Sequence, residues 1–280
     1  MNSLRNILKP LMPILAAVYG LMIIYMTSLP MADGNEALGR QVLTWLLTLV
    51  AIALTYMLIH RGEPRVFPEA KQFSLRFPKP TIGFGVLLLA PLWCVAEGYV
   101  VYGLTSLIHT VHLEPISYTP EELHEDLLAS IHAVLLAPVL EELCYRQLPI
   151  SPFQRRKTQV IVCLVMALLF GIVHGRNYLG ASLAAMLYGL VFIWTRNIWY
   201  AVILHAGHNL TATLHAVYCM LGLGQIRMSK MPVIILSDSK IVVAAVVLAI
   251  VGLIILQNVK EKKGMKHFML LRRKNLSGNR

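Results

Sequence analysis

Charge is scarce in this chain. Only 14% of its 280 residues are Asp, Glu, Lys or Arg, against about 25% in a soluble domain. No polar stretch is long enough to form a soluble domain, and neither a low-complexity linker nor an internal repeat interrupts the chain. That excludes a string of soluble modules and predicts one membrane domain over residues 1–280. Cysteine is equally uninformative as a framework. Cys94, Cys144, Cys163 and Cys219 fall in or beside apolar runs without paired spacing. A disulfide scaffold or a cysteine zinc site is thereby excluded in favour of buried thiols. The H-E-x-x-H helix of zinc peptidases is also missing.

Apolar residues dominate instead, at 57%. Runs near the roughly 20 residues that cross a bilayer cover about 8–29, 42–60, 82–108, 126–146, 158–174, 179–195, 199–222 and 240–258. The expected fold class is therefore all-α, a polytopic integral membrane protein with about eight transmembrane helices. SLPMADG after the first run resembles a cleavage site, but that run exceeds the 7–15 residues of a signal-peptide core, so an uncleaved helix is expected.

The formal charge of +11 is a matter of topology rather than of nucleic-acid binding. With the amino terminus placed inside, all but five of the 25 Lys and Arg fall on the inner side; the exceptions are Arg40, Arg176, Arg227, Lys230 and Lys240. This is the positive-inside bias for eight spans with both termini cytoplasmic, in the plasma membrane if the source is prokaryotic. The 111–126 loop fits the outside, carrying Glu114, Glu121, Glu122, Glu125 and Asp126 but no Lys or Arg. The basic tail, 259–280, is placed in the cytoplasm, where it would suit an anionic leaflet. No basic patch is interleaved with aromatics, so the expected partners are the lipid bilayer and a membrane-anchored peptide or protein, with no nucleic acid.

Ionisable residues inside a span cost at least ~2.5–3.5 kcal/mol each at the helix centre, so each needs a reason. The chain has Glu97, His132, Glu141, Glu142, Arg146, His174, His205, His208 and His215 in its apolar runs. Glu142 and Arg146 stand four residues apart with the acid first, the favourable order for a helical ion pair. Glu141 lies about 100° round the helix and shares that bond less easily. It is left as the candidate general base. On the seventh run His205 and Asn209 share a face, where they could donate two hydrogen bonds to an oxyanion. Gly207 between them permits close approach, and His208 points elsewhere. Phe170 lies one turn before His174, placed to pack beside its imidazole. Measured by helical rise, Glu141 and His205 are both ~9 Å from the inner face, whereas His174 is ~24 Å up. That mismatch needs a tilted or displaced fifth span.

The motifs E-E-x-x-x-R in EELCYR (141–146), F-x-x-x-H in FGIVH (170–174) and H-x-x-x-N in HAGHN (205–209) occur in that order. Together they resemble the CPBP family of intramembrane proteases, the CAAX protease and bacteriocin-processing (Abi) family, over about residues 130–215. The motif-bearing core runs from about 126 to 222. The resemblance implies that Glu141 activates the attacking water with help from His174. It further implies that His205 and Asn209 stabilise the oxyanion and that Glu142 and Arg146 organise the site. Substrates would be a CAAX-type tail, a bacteriocin or signal-peptide precursor, or a sorting-signal tail.

The family has been described both as metallo- and as glutamate-type. If a metal takes part, zinc is the ion that Glu141, His174 and His205 would suit, but a metal-independent glutamate mechanism is preferred and no cofactor is expected. Two other classes compete: a non-catalytic scaffold or immunity protein of the same fold, and a proton-coupled transporter. The second would show repeats or broken helices.

Overall fold

The apolar runs among the described residues fold as helices because a bilayer offers no partner for backbone N–H and C=O groups. The structure, a computed structural model, describes residues 35–66, 73–108, 110, 113–115, 120–221, 226–229, 234–236 and 242–259. The apolar run at 8–29 and the basic tail from 260 onward lie outside the described residues. Helix α1 spans Asn35–Val66, α2 Pro80–Leu87 and α3 Ala90–Ser106. Next come α4 Pro120–Leu135 and α5 Ala137–Glu142, which continues through a π-helical turn, Leu143–Gln147, to Ile150. Helix α6 is Arg156–Val173, α7 Tyr178–Thr195, α8 Ile198–Met220 and α9 Val242–Val259.

Among the described residues, five stretches are long and apolar enough to cross a membrane: Pro80–Ser106, Leu127–Ile150, Arg156–Val173, Tyr178–Thr195 and Val242–Val259. The expected span at 42–60 falls in α1 as a shorter apolar stretch, Gln41–Met57. The expected span at 199–222 is α8, a 23-residue helix that carries three histidines and an asparagine. The chain is an integral membrane protein of mainly helical fold.

The all-α expectation needs one amendment. Strands β1 (Leu113–Pro115), β2 (Ile226–Ser229) and β3 (Ile234–Leu236) form a small antiparallel sheet in the order β1-β2-β3. Glu114 pairs with Met228, and Arg227 with Ile235. The strands are too short to show a period of two in the sequence.

Helix faces are sorted inside out. On α6, Ile161, Leu164, Val165, Leu168 and Ile172 are exposed, while Cys163, Met166, Ala167 and Phe170 are buried. An exposed apolar stripe of that length on a helix is a lipid-facing surface. Inward faces close through small residues, as membrane helices require. A Cβ on Gly207 would lie 2.6 Å from Ala90 Cβ and 2.8 Å from Leu87 Cδ1. The close approach that Gly207 permits is therefore used by the α2–α3 junction.

The two ends of the bundle separate as the loop assignment requires. Loops placed outside, after α3 and after α8, meet in the sheet. Segments placed inside meet at the other end. There Ser74 N–H donates to Arg196 O at 2.6 Å, Trp199 Nε1 to Leu75 O at 2.8 Å and Asn197 Nδ2 to Arg76 O at 2.9 Å. Arg196 closes α7 in the left-handed region, φ 57°. Its guanidinium covers the Phe73 ring and donates to Gln159 Oε1 at 3.1 Å.

Candidate active site

Two prolines shape the segment that carries the glutamates. Pro138 has no N–H to give Val134, and the helix breaks at Leu136 between α4 and α5. Pro149 likewise leaves the Tyr145 carbonyl without its usual donor. The chain widens there into the π turn, in which Leu148 N–H reaches Leu143 O. π turns recur at functional sites because they re-aim side chains without ending the helix.

The i,i+4 ion pair forms as expected. Glu142 Oε1 and Arg146 Nη1 are 2.9 Å apart with side chains 0% and 3% exposed. Arg146 also donates through Nη2 to Ala185 O on α7 at 3.1 Å. Its guanidinium lies 4.8 Å from the Phe170 ring centre and 5.7 Å from that of Tyr188. Gly189 makes room for this arm: a Cβ there would meet Cys163 Sγ and stand 4.0 Å from Arg146 Cγ.

Glu142 has a second partner that helical spacing could not reveal. His205 Nδ1, on α8, donates to the same Oε1 at 2.9 Å. Since a carboxylate only accepts, Nδ1 carries a proton and the other ring nitrogen faces the site. That Nε2 lies 3.6 Å from Glu141 Oε2, beyond direct hydrogen-bond length. Glu141 is thus near His205 but not tied to it, and at 15% side-chain exposure it is the accessible carboxylate of the pair. One imidazole sits between two adjacent glutamates that play different parts.

Phe170 brings His174 in. The Phe170 and His174 rings lie 4.2 Å apart at 32°, as the sequence spacing suggests. Phe170 also meets Tyr145 edge-on at 5.1 Å and His205 at 6.1 Å. Counted from their connection, Tyr145 is roughly 7.5 Å up one helix and Phe170 roughly 21 Å up the other. Contact between them requires the two helices to be inclined. The His174 Nδ1–H donates to Phe170 O at 2.7 Å, so Nε2 is left as the acceptor.

Asn209 is tied to a neighbouring helix. Its Nδ2 donates to Ala133 O on α4 at 2.7 Å, beside the break before Pro138. One Nδ2 proton remains to be donated. The same α4 stretch is held to α1: His132 Nε2 lies 3.0 Å from Thr48 Oγ1, whose own proton goes to Thr44 O.

A second polar cluster lies one helical turn along α8. His208 does point elsewhere: its Nε2 lies 3.4 Å from Glu97 Oε2 on α3, and its Nδ1 is hydrogen-bonded to the Tyr188 hydroxyl on α7. The Tyr188 ring in turn stacks on His205, 4.6 Å between centres at 21°. Glu97 and His208 are visible in the sequence as ionisable groups in apolar runs. The only signal for Tyr188 is a hydroxyl inside AAMLYGLVF.

Among the described residues, no three His, Cys, Asp or Glu side chains gather in metal-ligating geometry. Glu141 and His205 approach each other, but His174 does not complete a three-ligand set with them. The described residues as placed do not fit a zinc centre.

Residues 123–211 match the family model described as Type II CAAX prenyl endopeptidase Rce1-like. This bears out the resemblance read from the three motifs, all of which lie in the matched segment. No curated protein and no solved structure matches the chain.

Proposed function

We propose that the chain is an intramembrane endopeptidase of the CAAX type that uses a glutamate-activated water. The carrying observation is His205 between the two glutamates, with Nδ1 on Glu142 and Nε2 toward Glu141. The family match over residues 123–211 supplies the reaction class. Glu141, accessible and unbound, takes a proton from water as the oxygen attacks the scissile carbonyl carbon. His205, doubly protonated between the two carboxylates, donates through Nε2–H, and Asn209 through its remaining Nδ2 proton, to the oxyanion that forms. Glu141 then passes its proton to the leaving nitrogen as the C–N bond breaks. His174 assists by accepting, through Nε2, from the attacking water. Glu142 and Arg146 keep His205 in register.

The test is cleavage by the purified chain in phosphatidylcholine vesicles. The panel contains a farnesylated peptide ending in a CAAX sequence, an unprenylated control and membrane-anchored precursor peptides. Cleavage of none of them by wild type would remove the reading. Asn209→Ala is expected to lower kcat more than it raises KM; an unchanged kcat with a raised KM would sink its oxyanion role. Rigorous chelation is expected to leave kcat unchanged. Lost activity that returns on adding zinc would overturn the metal-independent mechanism.

A carrier remains the second reading, because two helices are broken, at Leu88–Leu89 and at Leu136. It predicts proton-coupled uptake in the same vesicles with no cleavage.

A further inference from the structure

Glu97 lies outside the segment that matches the family, on α3, and three helices meet around it. Its carboxylate is buried, with the residue 7% exposed, and Oε2 faces His208 Nε2 at 3.4 Å. The Tyr188 hydroxyl is hydrogen-bonded to His208 Nδ1 on the other side of that ring. The contacts therefore run from Tyr188 through His208 to Glu97. Space has been cleared for the last member. A Cβ on Gly180 would lie 2.7 Å from Glu97 Oε1 and 2.6 Å from Asn177 Oδ1, so α7 has no side chain where the carboxylate sits.

The far end of the same chain of contacts is the active-site imidazole. Tyr188 is 1% exposed and lies nearly parallel to His205 at stacking distance. A tyrosine can slide along a stacked partner unless its hydroxyl is held, and here that hydroxyl is hydrogen-bonded to His208. His205 is thus located twice: by Glu142 at Nδ1, which sets one in-plane point, and by Tyr188 across its face, which sets the ring plane. Both are needed to aim Nε2. An in-plane bond alone leaves the imidazole free to rock about it, and misaimed donors weaken steeply with angle.

We propose that Glu97, His208 and Tyr188 form a buried positioning relay that fixes the ring plane of His205, and so aims Nε2 at the reacting carbonyl. The proposal rests on the reading of His205 as an active-site donor. It assigns α3, outside the family-matched segment, a part in orienting the catalytic machinery. Buried polar contacts between helices restrict the groups they join, and preorganised donors are where such restriction raises turnover.

The test uses the full chain in lipid bilayers with two readouts. Side-chain ¹⁵N solid-state NMR reports His205 without substrate, and kcat and KM are measured on the farnesylated CAAX peptide. Tyr188→Phe keeps the stacked ring but releases its anchor; Glu97→Ala releases His208; Glu97→Gln restores an acceptor. Gly180→Ala changes no relay residue but pushes the Glu97 carboxylate aside. Tyr188→Phe, Glu97→Ala and Gly180→Ala are each expected to shift or broaden the His205 ring signals. They should also lower kcat on the order of 10-fold with KM within about twofold, and Glu97→Gln should recover most of both. Unchanged His205 signals in Tyr188→Phe and Glu97→Ala would overturn the relay, as would an altered KM with intact kcat. If wild type cleaves no peptide, the protease reading falls by itself. The NMR arm then decides the relay alone, shifted signals supporting it and unchanged signals rejecting it.

Discussion

Glu141→Gln is expected to abolish cleavage while leaving the fold intact. Glutamine keeps the shape of the side chain and can still accept a hydrogen bond, but it cannot take a proton from water. General-base catalysis is worth roughly 10²–10⁴ in rate, so turnover should fall by that much with little change in KM. The fold should tolerate the change because Glu141 is the partly exposed member of the pair and lies 3.6 Å from its nearest ring nitrogen. The amide therefore removes no buried ion pair. The comparison with Glu142→Gln is informative. That residue is fully buried between Arg146 and His205, so its loss should lower both thermal stability and turnover. Should Glu141→Gln cleave within about threefold of wild type, a glutamate base at this position is ruled out.

Arg146→Met is expected to produce the largest loss of stability. It leaves the Glu142 carboxylate buried without its cation, and breaking a buried pair on one side costs about 3–5 kcal/mol. It also removes the bond to Ala185 O and the stacking on Phe170, so α5 loses its tie to α7. The double substitution Glu142→Leu with Arg146→Met removes both charges together. Replacing a buried pair by apolar side chains of similar volume is often neutral or better, so stability should largely return. Activity should not return, because His205 Nδ1 then has no acceptor to hold it. Unfolding in detergent for the two variants, with turnover on the same peptide, separates structural from orienting roles. An Arg146→Met variant as stable as wild type would show that the pair does not hold the site together.

Contacts confined to one helix were legible from residue spacing. The Glu142–Arg146 pair and the Phe170–His174 stack depend on separations of four residues, which a helix fixes at once. The exclusion of Glu141 from that pair followed from the same geometry, as did the alternation of loops between the two ends. Broken regularity was harder to read. Pro138 and Pro149 are plain in the sequence, yet a proline in a membrane helix can be absorbed in several ways. Nothing local announced a π turn at Leu143–Gln147. The depth arithmetic assumed upright helices, whereas inclination is set by packing between helices rather than by any one of them.

What the sequence by itself determined was therefore the membrane setting, the motif residues and the local pairs, since each follows from composition or from a fixed number of residues along one helix. The tertiary structure decided the partners across helices. It gave Glu142 to His205, Asn209 to Ala133 and His208 to Glu97 and Tyr188. Those pairings span 20 to 111 residues, and no periodicity encodes them. They are chosen where buried polar groups must find some partner and small residues let particular helices come close enough to supply it.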